Sequence, residues 1–188
     1  MRATTFPFRG VRFGEGSPQH HVDRFLKERP SSHWVLLGAH AVMSEEQLWT
    51  AWIQASRNAL RGHMVARSID AEFLRYLAGT HHISEAFARA GLQEDQDHGW
   101  VVCLPSAIGH ENDLGHLQPE ADDVQDFDSA FADLLQRLGW SEAPRDATYS
   151  IEAAKRLGID AEGWSEARQS ESIIAHILMA DDQSSSHR

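Results

Sequence analysis

Residues 33–47, with the sequence HWVLLGAHAVMSEEQ, connect a short apolar run to the beginning of a helix. The run His33–Ala39 has the length and the aliphatic content of a buried strand. Ser44 is followed three residues later by Gln47, a capping box that marks the start of a helix. Apolar residues then recur at helical spacing as far as Arg61, so the sequence predicts a strand followed by a long helix.

The same signals, apolar periodicity bounded by caps, glycines and prolines, place the other elements. Two more strands are predicted, over 4–13 and 100–104, and a loop over 106–120. Further helices are predicted over 18–29, 68–77 (starting at Ser68 or at Asp70), 80–90, 121–138, 150–157, 160–168 and 171–180. The expected fold class is therefore α/β in the broad sense (α+β), with a small, mainly antiparallel sheet flanked by several helices. A single domain is expected over residues 1–180, with an acidic elaboration around 106–138 and a disordered tail over 181–188.

Charge is distributed unevenly along the chain. Its 188 residues carry 17 Lys and Arg against 28 Asp and Glu, a formal net charge of -11. Residues 90–136 hold 11 acidic side chains and no Lys or Arg, whereas residues 1–89 hold 11 basic and 8 acidic ones. The net charge taken alone argues against a nucleic-acid partner, but the first half of the chain is mildly basic.

Several classes of protein are disfavoured by what the sequence lacks. Cys103 is the only cysteine, which rules out an internal disulfide and a CxxC redox pair. No window holds 18 consecutive apolar residues and the N-terminus does not read as a signal peptide, so a soluble, cytoplasmic protein without a membrane partner is expected. The phosphate-binding P-loop, the dinucleotide fingerprint, the G-x-S-x-G nucleophile motif and the H-E-x-x-H zinc motif are all absent.

Histidines leave one enzymatic alternative open. The loop that holds His110, Asp113 and His116 offers nitrogen and oxygen ligands at short range, as a small metal-dependent enzyme would require. Loop His and Asp side chains are more often solvated than metal-bound. The expected content of metals and cofactors is therefore none.

Residues 57–89 form the basic part of the chain that is most informative about function. If the three helices predicted here pack antiparallel, their two junctions could lie close together. Helix N-termini at Ser68 and Thr80 would then present free backbone N–H groups beside Arg67 and the His81–His82 pair, which suits a phosphate. The alternative is that Ser68 and Thr80 are ordinary caps and that the arginines form a solvated face.

A residue pattern within this segment resembles a known family. It comprises Ala66-Arg67-Ser68, Glu72-Phe73-Leu74, Tyr76-Leu77-Ala78-Gly79, Ile83-Ser84-Glu85-Ala86 and Gly91-Leu92. The residue types and their spacing are similar to those of the small kinase-binding subunit of the KEOPS (EKC) complex. The resemblance implies a non-catalytic accessory subunit of the tRNA N6-threonylcarbamoyladenosine machinery. Such a subunit docks on the kinase-like ATPase subunit of KEOPS and holds the 3′ end of tRNA.

The resemblance also directs attention to particular residues for RNA binding. Single-stranded RNA is held by arginines, backbone N–H groups and flat side chains. The predicted RNA-binding residues are Arg57, Arg61, His63, Arg67, Ser68, Gly79, His81, His82 and Ile83.

The amphipathic final helix is the best candidate in the sequence for a partner-binding face. Its apolar stripe consists of Ile173, Ile174, Ile177 and Leu178. A stripe with the same spacing would suit a helix that closes the core of the domain, and both interpretations stand at this point.

Overall fold

The computed structural model describes residues 4–182, and residues 1–3 and 183–188 lie outside the described part. Most of the predicted tail therefore lies outside it as well. Contacts divide the chain into two compact units. The first unit holds residues up to 39 together with 92–146, and the second holds residues 40–91 together with those from 147 onward. Each unit is thus assembled from two separate segments of the chain.

The first unit is built on an antiparallel sheet. Its main strands are β1 (Phe8–Arg12), β2 (Trp34–Gly38) and β3 (His98–Cys103), and β3 pairs with both of the others. The register places Trp100 opposite Gly10 on one side and opposite Leu37 on the other. This sheet confirms the predicted fold class, a mixed fold with a small antiparallel sheet.

Three strands of two residues each were not predicted. β4 (Ala107–Ile108) and β5 (Gln118–Pro119) form a small hairpin inside the predicted loop, and β6 (Ser141–Glu142) pairs with β1 to give the sheet order β2-β3-β1-β6. A strand of two residues has no alternating pattern that the sequence could reveal.

The helices of the first unit are α1 (Pro18–Glu28), α5 (Ala121–Gln125) and α6 (Phe127–Leu138). Ser17 caps α1 as its sequence suggests, accepting a hydrogen bond from the backbone N–H of His20 at 3.2 Å. The single helix predicted over 121–138 is divided at Asp126, which keeps a right-handed helical backbone. The core of this unit contains Val11, Phe13, Phe25, Trp34, Val101, Cys103, Phe127, Phe131, Leu134, Leu135, Leu138 and Trp140.

The second unit is helical within its described residues. It contains α2 (Glu45–Arg61), α3 (Ile69–Leu77), α4 (Ile83–Ala90), α7 (Ile151–Arg156) and α8 (Glu166–Leu178). α2 packs against α3, α3 against α4, and α8 against both α2 and α3. No helix within residues 4–182 is long and apolar enough to cross a membrane.

The last part of the chain differs from the prediction. One helix, α8, replaces the two helices predicted over 160–168 and 171–180. A turn around Gly163, whose φ is +79°, occupies the beginning of the first of these ranges. A positive φ is incompatible with a helix interior, so the helix can begin only after this turn.

Candidate functional site

The predicted RNA-binding arginines lie around the loop of residues 62–68, which joins α2 to α3 and is called the basic loop here. Arg61 at the end of α2, and His63 and Arg67 within the loop, are exposed. Arg57, one turn earlier on α2, is half-buried and has an interaction of its own. The basic loop and the end of α2 therefore present two arginines and one histidine to solvent.

The basic loop leads directly into the N-terminus of α3. Ser68 is the N-cap residue, and its side chain accepts no capping hydrogen bond. The first backbone N–H groups of a helix have no partner within the helix, and together with the helix dipole they favour an anion. Arg67 immediately precedes this cap, so the geometry suits a phosphate group.

The backbone of the basic loop is held from the inside by Glu72, a carboxylate on α3 with 0% exposure. Its Oε2 accepts hydrogen bonds from the N–H groups of Val65 (3.1 Å) and Ala66 (2.9 Å). Its Oε1 accepts from Asn58 Nδ2 and Arg75 Nη2, each at 2.9 Å. Burial by itself would raise the pKa of Glu72, but these hydrogen bonds outweigh burial and hold the pKa below its ordinary value. The group is therefore an anion at neutral pH.

Arg75 is a fully buried cation shared between two carboxylates. Its Nη2 lies 2.9 Å from Glu72 Oε1 and 2.9 Å from Oδ1 of Asp181, which follows α8. The hydroxyl of Tyr76 donates to Oδ2 of Asp181 at 2.7 Å and accepts from Asn58 Nδ2 at 2.6 Å. Burial and the contact with Asp181 raise the pKa of Tyr76 to about 12. The basic loop and the end of α8 are thus joined to α3 through one polar network.

The turn between α3 and α4 holds the other predicted RNA-binding residues. Gly79 is buried with a φ of +60°, and a Cβ added there would overlap the imidazole of His176 on α8. His81 and Ile83 are half-buried and His82 is exposed. Packing against α8 therefore requires the glycine, and the side chains of the other three reach the surface.

Thr80 does not cap α4 in the way the sequence suggests. The helix begins at Ile83 with His82 at the N-cap position. Thr80 is buried, and its Oγ1 donates to Glu85 Oε2 at 2.6 Å and accepts from the N–H of His82 at 3.2 Å. The hydroxyl bonds to the N-cap residue and to the first turn, so the helix starts later than predicted.

The two groups of predicted RNA-binding residues lie at opposite ends of α3. Ser68 caps its start and Ala78 caps its end. At a rise of 1.5 Å per residue, these caps are about 15 Å apart. The prediction that the two junctions lie close together is therefore wrong, because consecutive antiparallel helices place successive turns at alternate ends of the bundle.

Helix α8 divides the predicted partner-binding residues between core and surface. Ile173 and Ile177 are 2% and 0% exposed and close the core. Ile174 is half-buried and Leu178 is 53% exposed. These two line a groove of about 350 Å³ together with Glu46 of α2 and other residues of α8. Only this outer side of the stripe is available to a partner.

The loop of the metal-site alternative contains one close pair. His116 Nδ1 lies 2.6 Å from Asp113 Oδ1, and both side chains are exposed. His110 is exposed as well. Within residues 4–182, no three His, Cys, Asp or Glu side chains come together as metal ligands would.

The groups that hold the basic loop leave little signal in the sequence. The spacing of Glu72 and Arg75, three residues apart on a helix, is the one local signal for their ion pair. Asn58 and Asp181 reach the same network from other elements, and no sequence pattern connects them to it.

Comparison with known proteins gives a family. The family model described as kinase binding protein CGI-121 matches residues 17–140. This range is about two thirds of the 188 residues, and it includes the basic loop, α3, α4 and the acidic segment 106–138. The match ends before α7 and α8. A comparison with proteins of curated function finds no match.

Proposed function

Because this chain belongs to the CGI-121 family of kinase-binding proteins, we propose that it is a non-catalytic accessory subunit of the tRNA N6-threonylcarbamoyladenosine machinery. In this role it acts in the cytoplasm, within the KEOPS complex. It binds the kinase-like ATPase subunit and the 3′ end of tRNA. The family match is the observation that carries the proposal, and the resemblance of residues 66–92 to the KEOPS subunit supports the choice of complex.

The exposed side chains of the basic loop and of the adjoining end of α2 support the tRNA part of the proposal. Arg61, His63 and Arg67 are presented to solvent beside the N-terminus of α3. Arginines and backbone N–H groups hold RNA phosphates, and flat side chains such as His stack on unpaired bases. The acids of the 90–136 segment belong to the first unit, whereas the basic loop belongs to the second.

Filter binding with intact tRNA and with tRNA lacking its terminal nucleotides tests this part. We expect intact tRNA to bind more tightly, and equal binding of the two would refute recognition of the 3′ end. Arg67→Glu should weaken binding by roughly fivefold or more and lower the dependence on salt, because a phosphate contact is lost. Lys27→Glu is the matched control, since it makes the same charge change on an exposed residue of the first unit. An unchanged affinity of Arg67→Glu would remove Arg67 from the site.

The outer side of α8 supports the kinase part. Leu178 and Met179 are 53% and 54% exposed, and Ile174 extends the apolar surface into the groove. Large apolar side chains that are exposed next to one another on a helix commonly mark a protein interface. We therefore place the kinase-like subunit on this side of α8.

Co-purification with the kinase-like ATPase subunit tests this placement. Leu178→Asp should weaken the association by about tenfold or more, because it puts a charge into a desolvated contact. Leu26→Asp is the matched control, because Leu26 is 49% exposed and lies in the first unit. If both variants bind like the wild type, the docking face lies elsewhere. If the wild type itself does not associate, the proposed role is wrong.

A further inference from the structure

The basic loop has little apolar attachment to the rest of the molecule. Of residues 62–68, only Ala66 is buried, while Val65 remains 43% exposed. A loop with so few core contacts has no packing that would fix its backbone. The N–H groups of Gly62 and His63 bond to the carbonyl oxygens of Ala59 and Asn58, which holds the first part of the loop to α2. The two hydrogen bonds to Glu72 hold the second part, at Val65 and Ala66.

We propose that Glu72 is the positioning residue of the basic loop. By accepting from the N–H groups of Val65 and Ala66, its carboxylate sets the backbone between His63 and Arg67. It thereby fixes where Arg67 lies relative to His63 and to Arg61 at the end of α2. The inference rests on the proposed binding of RNA by this loop. Glu72 is buried and cannot itself touch RNA, yet it would control how tightly the RNA is bound.

Only a carboxylate can accept hydrogen bonds from all the groups around this position. The four groups that face Glu72 are the N–H groups of Val65 and Ala66, the amide of Asn58 and the guanidinium of Arg75, and each of them donates. A glutamine would have to turn its NH₂ toward two of these donors in either orientation. The side chain would then lose its hold on the loop or leave Arg75 poorly paired.

A loop held in its binding conformation binds RNA more tightly than a mobile one. The entropic cost of fixing the loop is then incurred when the protein folds and not when the RNA binds. Loss of the two hydrogen bonds should therefore appear as weaker binding even when the protein stays folded. A purely structural role for Glu72 would lower stability and leave the affinity of the folded protein unchanged.

Asp181 provides a matched control for this distinction. Glu72 and Asp181 both pair with Arg75 Nη2 at 2.9 Å, but only Glu72 contacts the loop. Glu72→Gln and Asp181→Asn each remove one negative charge from beside Arg75. Their comparison therefore separates the loop contact from the ion pair.

The experiment measures two quantities for the wild type and both variants, at a temperature where all are folded. One is the rate of hydrogen exchange at the amides of Val65 and Ala66, and the other is the affinity for tRNA. For Glu72→Gln we expect exchange at both amides to rise by about tenfold or more, and the affinity to fall by roughly fivefold or more. For Asp181→Asn we expect both quantities to stay within about twofold of the wild type.

If the Glu72→Gln variant does not fold, Glu72→Asp is measured in its place. It keeps the charge beside Arg75 but is one methylene too short to reach the loop, so it should show the same changes as Glu72→Gln. Wild-type exchange and affinity in a folded Glu72 variant would overturn the inference. If the wild type does not bind tRNA, the proposed function fails, and the exchange rates at Val65 and Ala66 still decide whether Glu72 holds the loop.

Discussion

Replacing Gly79 by alanine is a sharp test of how the turn between α3 and α4 packs against α8. Gly79 has a φ of +60°, and an added Cβ would overlap the imidazole of His176. The ring cannot move freely, because its Nε2 lies 2.7 Å from the carbonyl oxygen of Ala78 and 3.0 Å from that of Leu157. The substitution therefore strains the backbone and displaces a buried hydrogen-bonded side chain.

The size of the effect follows from these two costs. A residue with a Cβ costs about 1 kcal/mol in the left-handed region. Displacing His176 breaks the hydrogen bond that its Nε2–H shares between two carbonyl oxygens, at about 1 kcal/mol. The oxygen of Ala78 still accepts from Arg89 Nη1 at 3.0 Å, but that of Leu157 loses this donor, which costs about 1 kcal/mol more. The free energy of unfolding should fall by about 3 kcal/mol, which corresponds to a decrease in Tm of roughly 10 °C for a chain of this size.

Thermal and urea unfolding of Gly79→Ala beside Gly62→Ala measure the effect. Gly62 has a similar φ of +69°, but nothing lies within 4 Å of a Cβ built there, so that variant should lose only the backbone cost of about 1 kcal/mol. The double variant Gly79→Ala with His176→Ala should be more stable than the sum of the two single changes indicates, because the overlap is relieved. If Gly79→Ala is no less stable than Gly62→Ala, the turn does not pack on His176 as described.

Three further predictions concern the thiol, the acid sensitivity and a helix cap. Burial raises the pKa of the Cys103 thiol to about 12, so a thiol reagent at neutral pH should react only after unfolding, and rapid labelling of the native protein would contradict this. Burial lowers the pKa of His176 below its ordinary value of 6.5. The hydrogen bonds that Glu72 accepts hold the pKa of that carboxyl below its ordinary value of 4.5. The unfolded chain therefore binds more protons than the folded one as the pH is lowered. The Tm should therefore fall as the pH is lowered below about 6.5 and again below about 4.5, with the second decrease weakened in Glu72→Gln; a Tm independent of pH over this range would be evidence against both shifts. Ser44→Ala removes the acceptor for the N–H of Gln47 at 3.1 Å and should lower the free energy of unfolding by about 1 kcal/mol in urea titrations, whereas an unchanged stability would show that the cap contributes little.

The candidate site could be predicted only in part. The segment was found, because Arg61, Arg67 and the family pattern are visible in the sequence itself. The sequence does not predict how far apart the two turns lie, because which turns share an end of the helical bundle depends on how α2, α3 and α4 pack. The sequence also does not reveal the role of Glu72, because three of its four partners come from α2 and the basic loop.

The sequence by itself determined the features that depend on neighbouring residues. The capping box at Ser44 set the start of α2, the apolar runs located the three main strands, and the pattern over 66–92 identified the family. Tertiary structure alone decided which side of α8 is buried, because a core stripe and a docking stripe have the same spacing. It also decided that a buried ion network holds the basic loop. Capping and periodicity act over a few residues, whereas burial and ion pairing require segments that are far apart in the chain to meet.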